Sequence, residues 1–505
     1  MLSQVTSFAI DGVETRRVTV EADIRLGLPA FNVVGLADKS VREARERVRA
    51  AITNSGFEFP QKRITVNLAP AYLRKEGPHF DLTLAIAVLA ASGQIESDRL
   101  RDCAVAGELA LDGTLRAIRG ALALAEGARH HGLGRLLLPS ARAREAALVP
   151  DLEVLGVTTL QHAVEVLRGS APTPELPDAP LGAAGDRDDF DLADVRGHNG
   201  LVAQIEVAVA GGHHLFLQGP PGTGKTMIAR RLPTLLPPLS ESEAVEVTKI
   251  HSIVGLHQGD GLVGERPFRS PHHLISPSGL VGGGATPRPG EITLAHRGVL
   301  FLDELSEFNR AALEALRQPL EDGRVVVVRA QRVLTFPTGC MLVAASNPCP
   351  CGDGGDRCRC SAPELARHQR RLSGPLLDRI DISVTVPRPT AAKLRDERAP
   401  TSAEVRARVA AARARQVLRL RGTPATCNAH MTAAMLRELA QITPSARRRL
   451  FELHDSEGLS ARGHHRVLRV ARTIADLQES REVGPEHVQA ALILRTDAAP
   501  AALAA

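Results

Sequence analysis

Hydrophobic positions change their spacing along the chain, and each change marks a different kind of structure. Val41, Ala44, Val48 and Ile52 recur at helical spacing up to the turn-forming Asn54-Ser55-Gly56, while Ile64, Val66 and Leu68 alternate as in a half-buried strand. Residues 1–168 therefore read as an α+β domain. Over 169–188, GSAPTPELPDAPLGAAGDRD, the periodicity gives way to Pro, Gly, Ala and Asp, which predicts an interdomain linker. Short apolar runs return at 214–218 (HLFLQ), 299–302 (VLFL) and 340–345, alternating with helical stretches such as 227–235 up to about Val386. This is the pattern of a parallel sheet wrapped by helices, an α/β core over 189–390. From Ala391 onward strands disappear. The stretches 403–421, 450–479 and 485–494 read as helices of a segment 391–498, followed by a frayed Ala/Pro-rich tail at 499–505.

Between the apolar run 214–218 and the helical stretch 227–235 lies GPPGTGKT, residues 219–226. Gly219, Gly222 and Gly224 let the backbone turn so that its N–H groups cradle phosphate oxygens; Lys225 reaches the outer phosphates and the Thr226 hydroxyl holds Mg²⁺. With Pro220, Pro221, Thr223 and Met227 these residues form the predicted ATP contact, at the positive end of the following helix. Such a pattern also arises in surface turns, but here the strand 299–302 downstream delivers Asp303 and Glu304. Asp303 is expected to hold the Mg²⁺ water shell and Glu304 to orient and deprotonate the attacking water. The full apolar run before the acids favours this role over a helix cap.

At 505 residues the chain is long enough for about three domains, and 44% apolar residues suffice to bury their cores. The net charge of +5 is compatible with a polyanionic partner without demanding one. No stretch approaches a membrane span, 82–91 being the longest apolar run, and 1–12 lacks a basic start and an apolar segment, so the expected location is the cytoplasm. With no Trp, one Tyr and 12 Phe, any grip on nucleic acid is expected to be on phosphates rather than stacked bases. Of seven cysteines, Cys349, Cys351, Cys358 and Cys360 form C-x-C-x₆-C-x-C around a Gly-rich stretch. Four thiols that can fold together match a closed structural Zn²⁺ site; redox-active pairs or plain reduced thiols are the alternatives. Cys103, Cys340 and Cys427 read as buried small residues.

The string FRSPHHLISPSGLVGGGATPRPGEITLAHRGVLFLDE, residues 268–304, resembles the magnesium-chelatase-type branch of the AAA+ ATPases. GLPAFNVVGLADKSVREARERV (27–48), KEGPHFDL (75–82), SNPCPCG (346–352), SGPLLDRIDI (373–382) and LSARGHHRVLRVARTIADL (459–477) extend the likeness along the chain, and all are similar to the ComM/YifB family of bacteria. The resemblance implies an α/β fold: an AAA+ P-loop parallel-sheet core, an N-terminal Lon-protease-like, ribosomal-protein-like α+β domain, and a C-terminal helical lid. It also implies a homo-oligomeric ring, a hexamer, in which ATP hydrolysis at subunit interfaces moves DNA, branched or single-stranded, as a branch-migration helicase does during natural transformation. The alternative is a chelatase-like or remodelling ATPase acting on a protein or tetrapyrrole partner.

Residue by residue, Arg379 in LLDRID matches the arginine finger, donated by a neighbour; its plainer role is a salt bridge to Asp378 or Asp381. Asn347 matches the sensor-1 position, or is a turn former before Pro348. Arg462 matches the lid's sensor-2 arginine, with Arg466 as fallback. Residues 325–336 resemble the hairpin placed before sensor 1, turning at Ala330-Gln331, with Arg324, Arg329 and Arg332 as candidate DNA contacts. The Gly-rich loop 274–290 is a second candidate. The arginines of 403–421 read as a solvated helix face or a contact surface. On the Lon-like alignment His79 stands where the serine nucleophile should be and Leu122 where the lysine should be, so proteolysis is not expected.

Overall fold

The computed structural model describes residues 2–172, 190–257, 261–284, 287–329, 332–372, 376–396, 399–456 and 459–496. The chain forms two compact units, Met1–Ala183 with Glu241–Gly264, and Ala184–Ser240 with Glu265–Ala505. Residues 173–189, most of the expected linker 169–188, and residues 497–505, which include the expected tail 499–505, lie outside the described residues.

The first unit is built on a seven-stranded sheet in the order Ala30–Val34, Arg63–Ala69, Glu14–Arg25, Leu2–Asp11, Cys103–Val105, Arg135–Pro139, Glu153–Val157. Alternation does the work expected of it: Val18, Val20 and Ala22 turn inward against Ile64, Val66 and Leu68 of the neighbouring strand, all buried. The helix Lys39–Asn54 is capped where Asp38 accepts from Val41 N, and it buries Val41, Ala44, Val48 and Ile52. The apolar run 82–91 belongs to the helix Asp81–Ala91, which is buried on every side. Among the described residues no helix is long and apolar enough to cross a membrane.

The core drawn from sequence at 189–390 includes Glu241–Gly264, yet in the structure that segment packs with the first unit. The reason is specific. The helix Glu241–Val254 pairs Lys249 with Glu126, hydrogen-bonds Ser252 to Glu145, and receives Gly120 N on Ser252 Oγ at 2.9 Å. Val245 lies against the apolar cluster formed around Leu122 and Leu136.

The second unit contains a five-stranded sheet in the order Phe268–Arg269, Val299–Leu302, Met341–Ser346, Leu215–Gln218, Ile382–Thr385, with every pairing parallel. Its central strands are buried from end to end, as a sheet covered on both faces requires. Gln218 is level with Ser346 and with Thr385, and Leu302 with Ala344, so the phosphate loop, Asp303 and Asn347 all emerge from the same carboxyl edge. In open α/β sheets this is the edge that binds ligands.

Beyond Ala391 the segment is helical. The stretch 450–479 divides into Pro444–Ser456 and Ala461–Leu477, the second restarted by Ser460, whose side chain accepts from Gly463 N. The helix Ser402–Arg419 opens with a capping box between Thr401 and Glu404. Several of its arginines are partnered rather than only solvated. Arg408 clasps Glu206 at 2.6 and 2.8 Å, Arg419 reaches Asp476 at 2.5 and 2.8 Å, Arg413 donates to Val209 O at 3.0 Å, and Arg415 pairs with Glu479. Amphipathic spacing alone could not distinguish them from solvated arginines, because their partners are remote in sequence.

The strands Arg324–Arg329 and Arg332–Pro337 pair antiparallel with Arg329 opposite Arg332, forming the expected hairpin. Ala330, Gln331 and the side chains of Arg329 and Arg332 lie outside the described residues. Val328 and Val333 are each 65% exposed on this hairpin, while Val325, Leu334 and Phe336 anchor its base. The described residues of the loop 274–290 carry structure that its glycines do not predict: a short helix, Pro277–Val281, and a two-residue antiparallel pair, Gly282–Gly283 with Arg288–Pro289.

Candidate active site

The loop after Leu215–Gln218 turns where glycine is required. Gly222 and Gly224 have φ of 76° and 87°, and a Cβ on Gly219 would sit 2.3 Å from Val386 O. The helix Lys225–Leu235 starts from Gly224 with no side-chain cap, which leaves its first N–H groups directed at the loop's concavity.

Lys225 is 8% exposed, and its Nζ donates to Gly219 O at 2.6 Å, Pro220 O at 2.9 Å and Asn347 Oδ1 at 3.1 Å. Burial lowers its pKa from the ordinary lysine value, against the opposing pull of Asp303 and Glu304. Thr226 Oγ1 donates to Asp303 Oδ2 at 2.7 Å, so a hydroxyl and a carboxylate oxygen stand together as the hard oxygen pair that suits Mg²⁺. Asp303 Oδ1 in turn accepts from Glu304 N at 3.0 Å.

Glu304 occupies the left-handed region, φ 53° and ψ 49°, which costs a non-glycine residue about 1–3 kcal/mol. Its carbonyl accepts from Glu307 N at 2.8 Å, and its carboxylate lies 3.6 Å from His273 Nδ1. The turn swings the side chain out of the strand line into a cavity of about 420 Å³, lined also by Asn347, Cys349, Arg367, His368 and Arg371. Asn347 is held there from behind, its carbonyl meeting His368 Nε2 at 3.0 Å and Ser346 Oγ at 3.1 Å. His273 and His368 were missed by sequence reasoning. His273 sits in the SPHH string, whose paired histidines were the available signal; nothing in sequence connects His368 to Asn347.

Arg379 and Arg462 come together, but elsewhere. Arg379 Nη2 donates to Glu321 Oε1 at 2.5 Å, and Arg462 Nη2 lies 3.9 Å from the same oxygen. Beside the expected bond to Asp378 or Asp381, Glu321 is thus a partner of Arg379 that sequence did not suggest, and Asp381 faces His213 at 3.4 Å. Arg379, Arg462 and Glu321 line a cleft of about 500 Å³ with Asp381, His465 and Arg466, and among the described residues the phosphate loop does not line it.

The four clustered cysteines converge, with all four sulfurs within 4.8 Å of one another. Cys349 and Cys351 are separated by 3.2 Å, Cys349 and Cys358 by 3.6 Å, and Cys351 and Cys358 by 3.9 Å. This set is compatible with a closed structural metal site. Cys103, Cys340 and Cys427 are buried.

Family models match nearly the whole described chain. One described as "Magnesium chelatase, subunit ChlI" covers residues 191–394, "Subunit ChlI of Mg-chelatase" covers 20–142, and "Magnesium chelatase, subunit ChlI C-terminal" covers 399–495. The chain is 43% identical to YifB of Escherichia coli over 497 residues, 98% of this chain and 97% of that one. It is 41% identical to competence protein ComM of Haemophilus influenzae over 497 residues, 97% of each chain. The chain belongs to the ComM/YifB family of magnesium-chelatase-like proteins.

A shorter stretch of this ComM/YifB chain is 28% identical over 142 residues to Lon protease 2 of Bacillus subtilis, covering 26% of the chain and 25% of that protein. His79 and Leu122, at the positions expected for a Lon-type serine and lysine, are both buried. The His79 ring meets Phe8 O at 3.0 Å, and burial pushes its pKa down to about 4. Neither group is a poised nucleophile or base.

Proposed function

We propose that this ComM/YifB protein is an ATP hydrolase that forms a homo-oligomeric, hexameric ring and moves branched or single-stranded DNA, acting in recombination of incoming DNA during natural transformation. The observation that carries the hydrolase part is the convergence of Lys225, Thr226, Asp303 and Asn347 within hydrogen-bond distance at one sheet edge. In this reading residues 219–227 bind the triphosphate through backbone N–H groups, and Lys225 leaves its carbonyl partners for the outer phosphates. Thr226 and Asp303 hold Mg²⁺, which when bound draws charge from the phosphate oxygens. Glu304 takes a proton from the attacking water inside the 420 Å³ cavity. Asn347 fixes that water against the γ-phosphate, with His368 holding the Asn347 backbone in place.

Arg379 and Arg462 act on a neighbour's nucleotide. Their shared position on Glu321, in a cleft that the phosphate loop does not line, supports this assignment, and a carboxylate is a natural resting partner for two phosphate-seeking guanidiniums. The first unit is a Lon-like, ribosomal-protein-like domain without proteolytic chemistry, serving as a collar for assembly or DNA entry.

The DNA part rests on the similarity to competence protein ComM of Haemophilus influenzae and on the hairpin of strands Arg324–Arg329 and Arg332–Pro337, which exposes valines and whose sequence includes Arg324, Arg329 and Arg332. The family models, described for magnesium chelatase, support the second reading: remodelling of a protein or tetrapyrrole partner. The test is ATPase activity with and without branched or single-stranded DNA, together with movement of a synthetic junction. Stimulation and junction movement support the motor; no response to either DNA form, with strong stimulation by a protein or porphyrin, supports remodelling.

A further inference from the structure

Residues 346–372 form one path from the strand that presents Asn347 to the helix that walls the Glu304 cavity, and the cysteine loop is its middle. At its start, Cys349 lies two residues past Asn347 and is 2% exposed. At its end, Cys360 is followed by Ser361, whose backbone N and Oγ each donate to Glu364 at 2.8 Å to begin the helix Ala362–Leu372. That helix carries His368 back to Asn347 O.

Between these ends the loop presses on the phosphate loop itself. A Cβ on Gly352 would lie 2.7 Å from Pro221 Cγ, and one on Gly354 would lie 2.8 Å from Pro348 Cγ. The two glycines have φ of 88° and 67°, so both contact and backbone demand glycine. Asp353 is tied to Arg388 at 3.3 Å. A stretch of Gly, Asp and Arg has no apolar side chains with which to hold so exact a shape. Its sulfurs can. Zn–S bonds of about 2.3 Å in a tetrahedron put sulfurs about 3.8 Å apart; the 3.6 and 3.9 Å separations are close to that edge, and the 3.2 Å between Cys349 and Cys351 would open on binding the ion. All four are free thiols, not disulfides.

The geometry points to a Zn²⁺ site at Cys349, Cys351, Cys358 and Cys360 whose ligands are positioning residues for the nucleotide site: the bound metal fixes the loop against Pro221 and Asn347 and thereby sets turnover of bound ATP more than its affinity. The split follows from the elements involved. Affinity resides in the backbone of 219–226 and in Lys225, whereas the path 346–372 supplies Asn347, His368 and the cavity wall used in hydrolysis. The inference rests on reading 219–226 as an ATP-hydrolysing site.

The test uses the full-length protein, purified reduced, then treated with a zinc chelator, alongside Gly352→Ala, which keeps all four thiols. Metal analysis, ATP titration, steady-state turnover and hydrogen exchange at 219–224 and 346–352 are measured. One zinc per chain is expected. Its removal should raise exchange in both segments and lower kcat by about 10-fold or more while ATP affinity stays within about 3-fold. Gly352→Ala should keep its zinc and reproduce the loss of kcat. Absence of stoichiometric zinc, or a zinc-free protein with unchanged exchange at 219–224, overturns the proposal. So does an equal loss of affinity and turnover. A wild type that hydrolyses no ATP sinks the ATPase reading alone, since the metal content and exchange still decide the coupling.

Discussion

Two regions of the second unit contrast sharply. At the carboxyl edge of the parallel sheet, groups from three segments meet in two hydrogen-bonded pairs: Lys225 with Asn347 and Thr226 with Asp303. On the face around Glu321, two arginines share a single carboxylate, one buried and one largely exposed. On the proposed reading the first region holds the triphosphate and orients water. On the same reading the second supplies positive charge for phosphoryl transfer, and among the described residues the phosphate loop does not line its cleft. On the proposed reading each chain would carry half an active site twice over, and a ring would bring the halves together.

Substitutions at the two regions should therefore fail in different ways. Lys225→Ala has the largest effect, removing ATP binding and with it all turnover; retained nucleotide binding in a direct titration would show that the lysine is not the phosphate anchor. Arg379→Ala should bind ATP normally yet turn over about 10³-fold more slowly, as loss of an arginine finger does. If its affinity falls instead, the arginine serves its own chain's nucleotide and the contrast dissolves. Glu304→Gln should lower kcat by about 10²-fold at unchanged ATP affinity, the scale of a lost general base, and accumulate closed ATP-bound oligomers visible by light scattering. Smallest is Glu321→Gln. A partly exposed ion pair contributes about 0–1 kcal/mol, so turnover should stay within about 5-fold of wild type, and a collapse comparable to Arg379→Ala would make Glu321 part of the chemistry.

Legibility in the sequence follows the same division. The phosphate loop, the strand Val299–Leu302 with its acids and the helix Lys39–Asn54 were readable because period and chemistry lie within a few consecutive residues. The meeting of Arg379 with Glu321 was not, since the partners are 58 residues apart and either neighbouring aspartate was an equally good candidate. The helix Ser402–Arg419 shows the same limit: its arginines look solvated until Glu206 and Asp476 are brought to them by the fold. Nor does any local signal reveal that Glu241–Val254 packs with the first unit. That outcome depends on Glu126 and Glu145, more than a hundred residues earlier.

The most direct test mixes two impaired proteins. Lys225→Ala subunits keep their arginines, Arg379→Ala subunits keep their phosphate loops, and alone the first should not hydrolyse ATP and the second should retain only about a thousandth of wild-type turnover. Co-assembled into one oligomer, they should regain a substantial fraction of wild-type turnover, because an intact loop then faces an intact arginine across a seam. A mixed oligomer no more active than its parents, or a monomeric wild type that hydrolyses ATP at full rate, would contradict the shared site.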